Sequence, residues 1–152
     1  MHDAILFIFT EPADIEISTS FMDPDDIGMV GIADYIGNKI PIPETIAGVK
    51  VNADGSFVLT RQDIEAFFKR RFFELKRMVT DLNLRDFSST SLYNVKTTIE
   101  EKYDTYIVPI SEPDNDNYSA ETLDSFLREK YNDIDKNGQE TFYIVAAVDY
   151  HW

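Results

Sequence analysis

Apolar and polar residues along this 152-residue chain change their period several times, and each change marks an element. Residues 4–9 are an unbroken apolar run of branched and aromatic side chains, the pattern of a buried strand. A turn at Glu11, Pro12 and Ala13 follows. In 14–21 the residues Ile15, Ile17, Thr19 and Phe21 then alternate with Glu16, Ser18 and Ser20. Strict alternation predicts a half-buried strand, and the two segments are expected to pair as a hairpin.

Asp23 and Pro24 signal a helix start. The carboxylate can accept from orphan amides, proline is pre-set for the first helical position, and Asp25 and Asp26 suit the dipole. The predicted helix covers 24–36, weakened by Gly28 and Gly31, each costing about 1 kcal/mol relative to alanine. Two prolines make 40–43 an extended linker. Residues 48–51 and 56–59 flank Asn52, Ala53, Asp54 and Gly55, and read as a second hairpin.

Thr60 then caps the clearest element, a helix over 61–82 with Ile64, Phe67, Phe68, Phe72, Leu75, Met78, Val79 and Leu82 on one broad stripe. Residues 89–103 fit helical spacing through Leu92, Val95, Ile99 and Tyr103, and alternation through Tyr93, Val95, Thr97 and Ile99. Helix is the reading adopted. A strand over 106–110, placed at an edge or cut short by Pro109, leads into an acidic loop over 112–117. Ser119 is expected to cap a helix bearing Leu123, Phe126, Leu127 and Tyr131 on one face, and a strand over 141–148 closes the chain. The order predicts a single α+β domain. Three to four helices pack on a mixed, mostly antiparallel sheet of five to six strands.

Composition narrows the class. Hydrophobic residues make up 43%, with 11 Phe and 8 Tyr, enough to fold despite the charge. No cysteine is present, which removes disulfides, thiolate metal sites and cysteine nucleophiles. The early apolar run is too short for a secretory signal, and no stretch reaches the length of a membrane span, so a cytoplasmic protein is expected. A net charge of −14 argues against direct nucleic-acid binding and against anionic membrane surfaces. It favours fast capture of a protein partner with a basic surface.

The charge is also unevenly placed. Residues 1–60 carry −8, residues 61–85 carry +3 and residues 86–152 carry −9. On a helical wheel Lys69, Arg70, Lys76 and Arg77 surround Phe73 opposite the apolar stripe, a candidate contact patch as against a solvated face balancing acidic neighbours. Arg71 falls inside the stripe, where a guanidinium needs carboxylates or carbonyls around it. Within the acidic loop, Asp114 and Asp116 are the candidates for meeting a basic partner.

Catalytic signals are sparse. His2 and His151 are the two histidines, each next to an end of the sequence, and would meet only if their strands were adjacent. Asp133, Asp135, Asn137 and Gly138 match the opening of a calcium loop, but Ile144 stands where a bidentate glutamate belongs. A plain turn with Gly138 at positive φ is the competing reading. No cofactor is otherwise implied, and phosphate-loop, nucleophile-elbow, zinc and kinase motifs are absent from the sequence. The function expected is therefore non-enzymatic binding of another macromolecule by a small inhibitor, immunity or accessory protein, imitation of nucleic-acid charge included. The alternatives are a metal-dependent hydrolase with Asp and Glu ligands, and a structural subunit of a larger assembly whose oligomeric state the sequence leaves open.

Overall fold

A computed structural model describes residues 1–13, 16, 17, 22–102, 104–112 and 117–152, the side chains of Phe87 and Ser88 excepted. The described residues form an α+β fold with a mixed six-stranded sheet and three α-helices. In chain order the strands are β1 (His2–Phe9), β2 (Tyr35–Lys39), β3 (Thr45–Ile46), β4 (Val49–Lys50), β5 (Ser56–Leu59), β6 (Tyr106–Pro109), β7 (Glu121–Thr122) and β8 (Glu140–His151). The helices are α1 (Arg61–Asp81), α2 (Thr90–Ile99) and α3 (Leu123–Asp133). The sheet runs β2-β8-β1-β6-β7, with β5 also on β8. Among the described residues only β1 and β6 pair in parallel, and β3 and β4 form a separate small hairpin.

The apolar run of β1 explains the layering. Leu6 and Ile8 point to a core shared with Phe57, Ile64, Phe67, Phe126, Leu127 and Phe142, beneath α1 and α3. Ile5, Phe7 and Phe9 point the other way, to a second core with Ile17, Ile27, Met29, Val108, Val148 and Tyr150. A strand covered on both faces needs no polar alternation.

Several local expectations are corrected by long-range pairing. Both edges of β1 are taken, by β8 and by parallel β6, rather than by the neighbour in sequence expected to form a hairpin with it. Residues 14, 15 and 18–21 of that predicted strand lie outside the described residues, and Glu16 and Ile17 are not in a strand. The predicted 24–36 helix is a single 3-10 turn, Pro24–Ile27. Gly28 at φ 71 ends it, and Tyr35 and Ile36 join β8 instead. The turn at 52–55 is present, with Gly55 at φ 82 and its amide on the Asn52 carbonyl at 2.9 Å. The strands beside it nevertheless do not pair. β4 turns back onto β3, while β5 joins β8.

The linker 40–43 is without regular structure, and the Ile40 amide donates to the Ala147 carbonyl at 2.9 Å. Of the 89–103 stretch read as helix, α2 covers Thr90–Ile99 and the chain then turns through Glu101 at φ 58, with Tyr103 outside the described residues. Pro109 ends β6 next to Ile8 of β1. Thr122, not Ser119, caps α3, its hydroxyl accepting from the Ser125 amide at 3.1 Å, because the short β7 pairing delays the helix. Strand β8 is longer than expected, since it is the sheet's hub. Gly138 is outside the left-handed region, and an ordinary turn closes through its amide on the Asp135 carbonyl at 2.9 Å.

Candidate interaction surface

Helix α1 begins with a reciprocal capping box. The Asp63 amide donates to the Thr60 hydroxyl at 3.2 Å, and the Thr60 amide donates to the Asp63 carboxylate at 3.0 Å. The stripe expected along α1 reaches full burial in its first half only, and Leu75, Met78 and Leu82 further along are half-buried. Ile64 and Phe67 are buried, whereas Phe72 and Val79 are exposed. The cause is geometric. A 21-residue helix is about 31 Å long, and the sheet lies under its opening turns. Beyond them α1 faces α2, where the Thr98 hydroxyl donates to Met78 Sδ at 3.8 Å.

Phe73 is open to solvent at 54% and Phe72 at 60%. Their rings meet edge to face, with centroids 5.4 Å apart. Lys69 and Lys76 stand one turn either side of Phe72, and Arg70 and Arg77 one turn either side of Phe73. The structure thus joins Phe72, which the sequence pattern assigned to the core, to the basic patch expected around Phe73. Arg70 is fixed in place, donating to the Ala47 carbonyl at 3.0 Å across the β3–β4 turn. Lys69, Lys76 and Arg77 form no ion pair among the described residues.

On the neighbouring flank, α1 and α3 enclose a groove of about 480 Å³ over Phe68. Arg128 lies 5.3 Å from the Phe68 ring centroid, and the Tyr131 hydroxyl donates to Glu65 at 2.9 Å. The hydrogen bond to the Glu65 carboxylate raises the Tyr131 pKa. Sequence reasoning missed this groove, since residues from helices far apart in the chain build it.

Arg71 has the carboxylates its position demanded. It donates to Asp104 before β6 and, at 3.1 Å, to Asp124 in the first turn of α3. Burial alone would lower the Arg71 pKa, but the hydrogen bonds to Asp124 and Asp104 raise it overall. Next to it Arg128 donates to Glu101, which also accepts from the Thr122 hydroxyl at 2.9 Å. The bond from Arg128, opposed by burial and aided by Thr122, holds the Glu101 carboxyl below its usual range. The cluster ties α1, α2, α3 and β6 together, with its charges directed at one another.

The histidines do meet. His2 and His151 are register partners on β1 and β8, with ring centroids 5.0 Å apart. His2 Nδ1 lies 2.8 Å from Asp149, and Tyr35 stacks on His151 at 5.1 Å. Nearby, burial raises the Asp3 carboxyl against the Ala4 amide that hydrogen-bonds it.

The remaining candidates are not brought together as a site. Asp133 pairs with Lys130 at 3.4 Å, while Asp135 and Asn137 belong to the helix-to-strand turn. Among the described residues no three His, Asp or Glu side chains converge as metal ligands. Asp114 and Asp116 lie outside the described residues. Among those described, no helix is long and apolar enough to cross a membrane. Comparison with protein-family models, curated proteins and solved structures finds no match to this chain.

Proposed function

We propose that this protein acts by binding another macromolecule, as a non-enzymatic inhibitor, immunity or accessory protein, and that the outward face of α1 is its contact surface. One observation carries the reading. In a chain with 28 acidic and 14 basic residues, three cations on this face have no carboxylate partner among the described residues, and two exposed phenylalanines lie between them. Leaving aromatic rings in water forgoes about 25 cal/mol for each Å² that could be buried. Aromatic and arginine side chains grouped in this way are the usual energetic centre of protein interfaces.

A second reading has the net charge of −14 as its support. The carboxylates elsewhere on the surface would capture a basic partner or imitate nucleic-acid phosphates. Affinity capture from the native host at low and high salt separates the two. Replacing Phe72 and Phe73 by Ala should release the bound protein while melting temperature holds, because neither ring is in the core. An unchanged set of captured proteins would remove α1 as the contact surface and leave the acidic surface as the alternative.

A further inference from the structure

We propose that the partner segment seated on α1 is acidic, a polypeptide stretch whose carboxylates bracket a bulky apolar side chain; this rests on the reading of α1 as the contact surface. Lys69, Phe72 and Lys76 form one row along the helix, and Arg70, Phe73 and Arg77 form a parallel one. Seven residues of helix separate the cations of each row by about 10.5 Å. Carboxylates seven residues apart on a helical segment match that span.

Electrostatics selects the sign. Covering these cations with a neutral surface would strip their water without replacement, which is costly, so the covering surface must supply anions. Among the described residues the protein's own carboxylates form no ion pair with Lys69, Lys76 or Arg77, Glu74 on the same face included, although acids outnumber bases two to one. Arg70, already held by the Ala47 carbonyl, loses little freedom on binding. The exposed pair of rings calls for an apolar anchor between the charges, which a nucleic-acid backbone lacks. A short acidic segment brings few charges beyond those the helix neutralises, whereas a duplex or a second copy of the chain would bring a large like charge against the net −14.

The test is fluorescence anisotropy on the full chain with three labelled probes. They are a short peptide of glutamates around a central pair of leucines, the same peptide with glutamine for every glutamate, and a DNA duplex. The glutamate peptide should bind at least about tenfold tighter than the glutamine peptide and lose affinity as salt is added. Combining K69E, R70E, K76E and R77E should weaken it about tenfold or more, and F72A with F73A should weaken both peptides, all variants keeping the wild-type circular dichroism spectrum.

Equal binding of the two peptides, lost in the phenylalanine variant, would overturn the acidic partner and leave α1 as the contact surface. Peptide binding that no α1 variant alters would overturn both. Preference for the duplex, or no binding of the glutamate peptide, would overturn the acidic segment. Self-association in sedimentation that the α1 variants abolish would do the same, naming a second copy as the occupant.

Discussion

Replacing Arg71 by Met tests whether the ion cluster is a fastening of the fold. Methionine keeps an apolar stem where the Arg71 guanidinium lies 5.4 Å from the Phe67 ring centroid, so the change isolates the charge. The Asp124 side chain is only 7% exposed and would be left without its cation, whereas Asp104 at 41% can return to water. Stripping one partner from a buried pair costs about 3–5 kcal/mol. Two features reduce that. Asp124 lies in the first turn of α3, where the helix dipole contributes about 0.3–1 kcal/mol towards a carboxylate. The Arg71 side chain is itself 26% exposed, and a half-solvated pair is worth less than a buried one.

The expected loss is therefore about 2–3 kcal/mol, lowering the melting temperature by roughly 5–10 °C for a chain of this size. Urea unfolding followed by Trp152 fluorescence and far-ultraviolet circular dichroism measures it. Adding D124N removes the orphaned charge, so the double variant should recover at least about 1 kcal/mol relative to R71M. A loss in R71M below about 0.5 kcal/mol, or no recovery in the double variant, would refute the reasoning.

Two further outcomes follow from the structure. Gly55→Ala should destabilise by about 2 kcal/mol or more, seen as a lower melting temperature. Its φ of 82 is strained for alanine, and a Cβ there would stand 2.4 Å from the Ile144 carbonyl oxygen; an unchanged melting temperature would show that the turn relaxes freely. The lowered pKa of Glu101 makes its pairing with Arg128 a source of stability above the unfolded carboxyl value near 4.5, lost as pH falls through the folded value. The deficit of Glu101→Gln should accordingly be full near neutral pH and shrink under acid in urea titrations, and a deficit independent of pH would remove that role.

The candidate surface exists because α1 is longer than the layer it covers. Its opening turns close the core through Ile64 and Phe67, and Arg71 then anchors it to β6 and α3. Past that anchor, the helix presents Phe72 and Phe73 on a rigid scaffold, which lowers the ordering cost of any contact made there. The acidic majority of the surface and the basic helix thus act at different ranges. The first sets the field a partner meets on approach, and the second offers the local chemistry.

What the sequence alone determined were the features carried by local periodicity and capping. The continuous burial of β1, the start of α1 at Thr60, the turn closing on Gly55 and the basic rows flanking Phe73 all follow from residues within a few positions of one another. Tertiary structure decided everything that needed a distant partner. Strand β8 pairs with β1, β2 and β5, and so takes β5 from the second hairpin that proximity in the chain favoured. Asp104 and Asp124 find Arg71 from 33 and 53 residues away. Phe72 has the helical phase of a core residue, yet it is exposed, because periodicity fixes the direction a side chain faces while the extent of the neighbouring layer fixes whether anything is there to cover it.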